Sequence, residues 1–184
     1  MQDLLHEPLL GWTLRCFLAL MFGYAAVSKL GSIEEFYGVV RNFRLLPDAL
    51  NRPAAVALPV VELAVAAGLL ITPLAGPAAI TAALLLAVFG LAIAINVVRG
   101  RTEIDCGCFR DGMKQRISWL LVGRNVVLTG LAVMAVALVQ PVGGVMNLGT
   151  GLMAGAVMML LYTCLSLLGG MTALQTQTQS RKGH

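Results

Sequence analysis

The sequence predicts an all-α, polytopic membrane protein with about five spans, and two observations carry that reading. The first is composition: hydrophobic residues make up 58% of the chain and charged residues 12%, with a mean hydropathy of +0.84. A soluble domain carries about 25% charged residues. A water-soluble fold would need a core larger than 184 residues can enclose. The second is the presence of several apolar runs near or above the ~18 residues that mark a spanning helix, separated by short polar stretches. One domain suffices for this length. Residues 1–172 read as a single membrane-embedded helical unit, and 173–184 as a disordered polar tail, because Gln175-Thr176-Gln177-Thr178-Gln179-Ser180 is low in complexity and cannot bury a core.

Taken in order, the first span covers about Gly11 to Leu30. Trp12 and Arg15 suit one membrane interface and Lys29 the other. The segment from Gly31 to Arg52 is too polar to span. Ser32 and Glu35 have capping-box spacing, and Ile33, Phe36, Tyr37, Val40 and Phe43 recur at helical spacing, so a short amphipathic helix lying in the interface is expected before Pro47. The second span covers about Ala54 to Ile71, and an uncharged turn from Thr72 to Pro77 leads into the third, ending at Val98. A charged loop from Arg99 to Arg116 follows. The fourth span, about Ile117 to Val139, is joined to the fifth, about Val145 to Gly170, by a second uncharged turn. The plan is one span, an interfacial helix, and two tight hairpins flanking the charged loop. In the fifth span Gly151 and Gly155 form a small-xxx-small pair that permits close helix packing. The N-terminus lacks the basic region of a cleavable signal peptide.

Five spans put every Lys and Arg except Arg15 and Arg124 on one side. The positive-inside rule makes that side cytoplasmic, with the N-terminus outside and the charged loop inside. Basic residues flanking spans also account for the net charge of +4, so nucleic acid is not expected as a partner and the lipid bilayer is.

Intramembrane polar groups are costly, so their positions mark a candidate site. Glu62 lies about eight residues, or about 12 Å, into the expected second span from the basic side. Arg124 lies about 10 Å into the fourth from the same side, with Asn125 beside it. Lys29 closes the first span there, Asn96 lies near the end of the third, and Cys164 lies about one and a half turns inside the fifth. Lys29, Glu62, Asn96, Arg124 and Asn125 therefore form an expected intramembrane polar cluster beneath the charged loop. Glu62 is expected to pair with Arg124, with Lys29 as the competing cation.

The loop carries Cys106-Gly107-Cys108. A thiolate is the nucleophile in disulfide exchange, and neighbouring cations favour it. Arg101, Arg110, Lys114 and Arg116 lie near in sequence, opposed by Asp105 and Asp111. Gly107 reaches backbone angles that a tight Cys-x-Cys turn would need. A disulfide in so small a ring is strained, hence labile and oxidising. Cys106 and Cys108 are thus a candidate redox pair, with Gly107 as the turn and Cys164 as a possible relay. A metal site is not expected: zinc usually takes four ligands, and His6 and His184 sit at the termini. No cofactor is called for. A non-enzymatic scaffold or export factor remains an alternative. So does a quinone-coupled thiol oxidase, although the chain lacks the Cys-x-x-Cys pair of vitamin K epoxide reductase-type proteins.

Three segments resemble the MauE family, within the DoxX-like, redox-associated membrane proteins: Lys29-Leu30 followed by Phe36 and Leu45-Leu46-Pro47; Leu58-Pro59-Val60-Val61-Glu62-Leu63 leading to Gly68-Leu69-Leu70; and Asp105-Cys106-Gly107-Cys108-Phe109. Many members have glycine after that phenylalanine, where Arg110 stands here. The resemblance implies an inner-membrane accessory protein for processing, transport or maturation of the small (β) subunit of methylamine dehydrogenase, acting beside a thioredoxin-like partner. That subunit matures outside the cytoplasm, whereas charge counting puts the loop inside. Either reducing equivalents cross the membrane or the loop faces outward.

Overall fold

The computed structural model describes residues 8–101, 117–138 and 149–166. The described residues form helices α1 (Pro8–Leu30), α2 (Ile33–Phe43), α3 (Asp48–Leu70), α4 (Ala75–Val98) and α5 (Trp119–Ala137). A sixth helix, α6, covers Gly149–Ser166. All but α2 are long and apolar enough to cross a membrane, giving five candidate spans. The expected end of the fourth span at Val139 and both expected ends of the fifth, Val145 and Gly170, lie outside the described residues, as does the expected tail 173–184.

Helix is the form forced on such segments, because hydrocarbon offers no partner for a backbone N–H or C=O. The α3–α4 connection shows how little chain a hairpin needs. Thr72–Leu74 makes a single 3-10 turn and α4 starts at Ala75, so Gly76 and Pro77 belong to the helix rather than to the turn the sequence suggested. Pro77 is tolerated there because an N-terminal turn does not need its missing N–H.

The expected start of the second span at Ala54 is also corrected. α3 begins at Asp48, directly after Pro47, and Pro53 and Pro59 both lie inside it. Glu62 is therefore 14 residues past the helix start. The polar first turn hid this extension. Ser32 occupies the N-cap of α2 but makes no side-chain cap, and its Oγ is buried with no hydrogen-bond partner among the described residues, so the capping box does not form.

α1 is the most enclosed span. Leu14, Phe17 and Leu18 of α1 pack in one cluster with Leu69 of α3, Ala79 and Ala82 of α4, and Leu128 and Ala132 of α5. The many small residues let the helices approach closely, which matters because lipid provides no hydrophobic drive between helices. Gly151 and Gly155 bring α6 against α1: a Cβ on Gly151 would come within 2.9 Å of Trp12 Cβ, and one on Gly155 within 2.8 Å of the Phe17 backbone nitrogen.

α2 crosses one end of this bundle. Its Phe36 lies over Lys29 at the end of α1, and its Phe43 packs against Ile93 of α4 and Ile117 and Leu121 at the start of α5. The same end receives the end of α4 and the start of α5, between which the charged loop runs.

Candidate functional site

Lys29 is in the last turn of α1, and Glu62 faces it from α3. Their side chains form an ion pair and are almost wholly buried, 4% and 2% exposed. Two aromatic rings enclose the ammonium: Nζ is 5.3 Å from the Phe36 ring centroid and 5.0 Å from that of Phe89 on α4. A ring face attracts a cation, and more strongly when water is excluded. Of the two cations considered for Glu62, Lys29 holds the ion pair. Arg124 approaches α6, its guanidinium carbon 5.9 Å from the Tyr162 ring centroid. Tyr162 meets Phe17 of α1 edge-on at 6.0 Å.

The two asparagines are held within their own helices. Asn96 Nδ2 donates to Ala92 O at 3.0 Å, and Asn125 Nδ2 donates to Leu121 O at 2.9 Å. Asn96 Oδ1 accepts from Arg101 Nη1 at 3.3 Å, which ties the first residues of the charged loop back onto α4. Asn125 packs closely against Gly90 of α4, where an added Cβ would lie 3.1 Å from Asn125 Cβ. The five polar residues thus divide into the Lys29–Glu62 pair, an Asn96–Arg101 clasp at the loop's start, and Arg124 and Asn125 on α5.

At the other end of the bundle, Arg15 is 2% exposed. Its Nε donates to Leu69 O at 2.8 Å, and its guanidinium lies 4.1 Å from the Trp12 ring centroid. Leu69 is in the last turn of α3, where carbonyls lack helical partners and the helix dipole is negative. Arg15 therefore acts as a capping cation for α3. The sequence suggested only an interfacial anchor, because nothing along the chain links position 15 to position 69. Phe89 likewise went unread: one aromatic in an aliphatic helix gives no signal until Lys29 is seen beside it.

Cys16 is fully buried and Cys164 exposed, and neither is in a disulfide among the described residues. Gly155 lies against Cys16, and Cys164 is nine residues further along α6, about 14 Å by helical rise. They cannot bridge each other. Cys106, Gly107 and Cys108 lie outside the described residues. Among the described residues no three His, Cys, Asp or Glu side chains are grouped to hold a metal.

The fold and this site define a class: a multi-pass helical membrane protein whose core seals one charge pair and whose third and fourth spans are joined by a charged Cys-Gly-Cys segment. Residues 7–140 match the family model for methylamine utilisation protein MauE. Proteins named methylamine utilization protein MauE are 61% identical over 185 residues in Paracoccus versutus and 60% over 186 in Paracoccus denitrificans, each covering all of both chains. A protein of the same name in Methylorubrum extorquens is 50% identical over 98% of both chains. No solved structure matches. The chain belongs to the MauE family, whose members take part in methylamine utilisation.

Proposed function

We propose that this protein is an inner-membrane accessory factor in maturation of the methylamine dehydrogenase β subunit, exchanging disulfides with a thioredoxin-like partner through Cys106 and Cys108. The observation that carries the reading is family membership over the whole chain, joined to two cysteines one glycine apart in the loop between α4 and α5. The helix ends that flank the loop support it: Arg101 is clasped to Asn96, and Ile117 is 1% exposed in the cluster with Phe43. The described residues on either side of the loop, Arg101 and Ile117, are thus both held on the bundle. In this reading Lys29, Glu62, Arg124 and Asn125 are positioning residues in the spans, and Cys164 is a relay candidate on α6.

The exchange balances in either direction. A partner thiolate attacks a Cys106–Cys108 disulfide, forming a mixed disulfide and releasing one loop thiolate. The partner's second thiolate then displaces the other loop sulfur. Two electrons and two protons pass from the partner dithiol to the loop, and reversal returns them.

The test is complementation of a strain lacking this protein. Cys106→Ser, Cys108→Ser and the double variant are each expected to abolish methylamine-dependent growth and accumulation of mature β subunit, with the protein still present in the membrane. Either single variant is expected to trap a mixed disulfide with a thioredoxin-fold protein. A double variant that supports full growth would overturn the exchange and leave a scaffold or export role.

A further inference from the structure

The elbow between α2 and α3 holds a cleft of about 410 Å³ lined by Arg41, Asn42, Arg44, Leu46, Asp48 and Asn51. Its chemistry has two halves. On one wall are two exposed guanidiniums, Arg41 and Arg44, neither with a carboxylate partner among the described residues. The ion pair joining α2 to α3 uses Arg52 and Glu34 instead, at 3.3 Å. Arg44 ends α2 in a left-handed conformation, φ 48° and ψ 43°, which non-glycine residues seldom adopt. On the other wall are two acceptors from the first turn of α3. Asn51 is 1% exposed and its Oδ1 makes no hydrogen bond among the described residues, while its Nδ2 donates to Asp48 Oδ1 at 3.3 Å. That donation fixes which way the amide points, so the orphan atom is the oxygen. A buried acceptor without a partner is costly and asks for a donor.

We propose that this cleft binds the phosphoethanolamine headgroup of a membrane phospholipid, with the phosphodiester on Arg41 and Arg44 and the primary ammonium on Asp48 and Asn51 Oδ1. Each part of the headgroup answers one wall. Guanidinium is suited to phosphate oxygens. An ammonium with N–H donors satisfies a carboxylate and an amide oxygen, which a trimethylammonium cannot do. The surroundings favour a lipid over a soluble phosphate: Leu45, Leu46 and Leu50 are 37%, 41% and 50% exposed around the cleft, an apolar fringe suited to the glycerol and acyl boundary.

Native mass spectrometry of the delipidated full chain, titrated with phosphatidylethanolamine or phosphatidylcholine of matched acyl chains, tests this. Phosphatidylethanolamine is expected to bind about tenfold more tightly, the size of one charge-assisted hydrogen bond. R41Q/R44Q is expected to lose about tenfold or more of that affinity. D48N is expected to erase the preference over phosphatidylcholine. These positions are exposed, so the variants should fold, and an unchanged unfolding midpoint verifies it. Equal binding of the two lipids, or full retention by R41Q/R44Q, overturns the proposal. Displacement of the lipid by soluble phosphoethanolamine at equal concentration overturns its assignment to a membrane lipid.

Discussion

Lys29→Met removes the cation from beside Glu62 and leaves that carboxylate in a site where it is 2% exposed. Removing one partner of a buried ion pair costs about 3–5 kcal/mol. For a chain of this length each kcal/mol lowers the unfolding midpoint by about 2–4 °C, so a fall of about 6–20 °C is expected. Glu62→Gln should cost less, because Lys29 keeps the Phe36 and Phe89 rings at 5.3 and 5.0 Å. Cation–π contacts contribute roughly 0.5–2 kcal/mol each in such settings. The decisive variant is the double, Lys29→Met with Glu62→Leu. With neither charge left to desolvate, it should recover most of the loss shown by Lys29→Met alone. The assay is thermal unfolding of the full chain in lipid nanodiscs, followed by near-ultraviolet circular dichroism. A double variant as unstable as the sum of its singles would refute the coupling. So would a Lys29→Met midpoint within about 2 °C of the parent, less than one kcal/mol by the same scale.

Two further outcomes follow from packing and capping. Gly155→Ala should lower stability by about 1–3 kcal/mol, because the added methyl meets the α1 backbone, whereas Gly130→Ala, with nothing within 4 Å, should be neutral or gain up to about 1 kcal/mol from helix propensity. Their midpoints should therefore move apart in the same unfolding assay. Arg15→Met should cost about 1–3 kcal/mol by leaving the Leu69 carbonyl without its donor, and hydrogen exchange should quicken in the last turn of α3 while the start of α3 is unaffected.

The spans were legible because a spanning helix announces itself through composition alone, with no long-range information needed. The Gly151–Gly155 pair was legible for a similar reason, since its spacing puts both on one face. Partner choice was not. Depth along a helix can be counted from the sequence, but the direction in which a side chain points around the bundle cannot. Glu62 thus had two plausible cations, and the structure gives it Lys29. The start of α3 was hidden because Asp48, Asn51, Arg52 and Pro53 carry loop-like chemistry. A proline near a helix start is nonetheless compatible with helix, since the first N–H groups have no intrahelical acceptor. Ser32 shows the converse, with the right residues for a cap but a backbone that does not bring the hydroxyl to the amides.

The seat of α6 on α1 bears on how the molecule is made. Trp12, Cys16 and Phe17, near the beginning of the chain, are covered by Gly151 and Gly155, more than a hundred residues later. Until α6 leaves the ribosome, the face of α1 that carries Cys16 lacks this cover. Assembly of this face therefore waits on a helix made more than a hundred residues after α1.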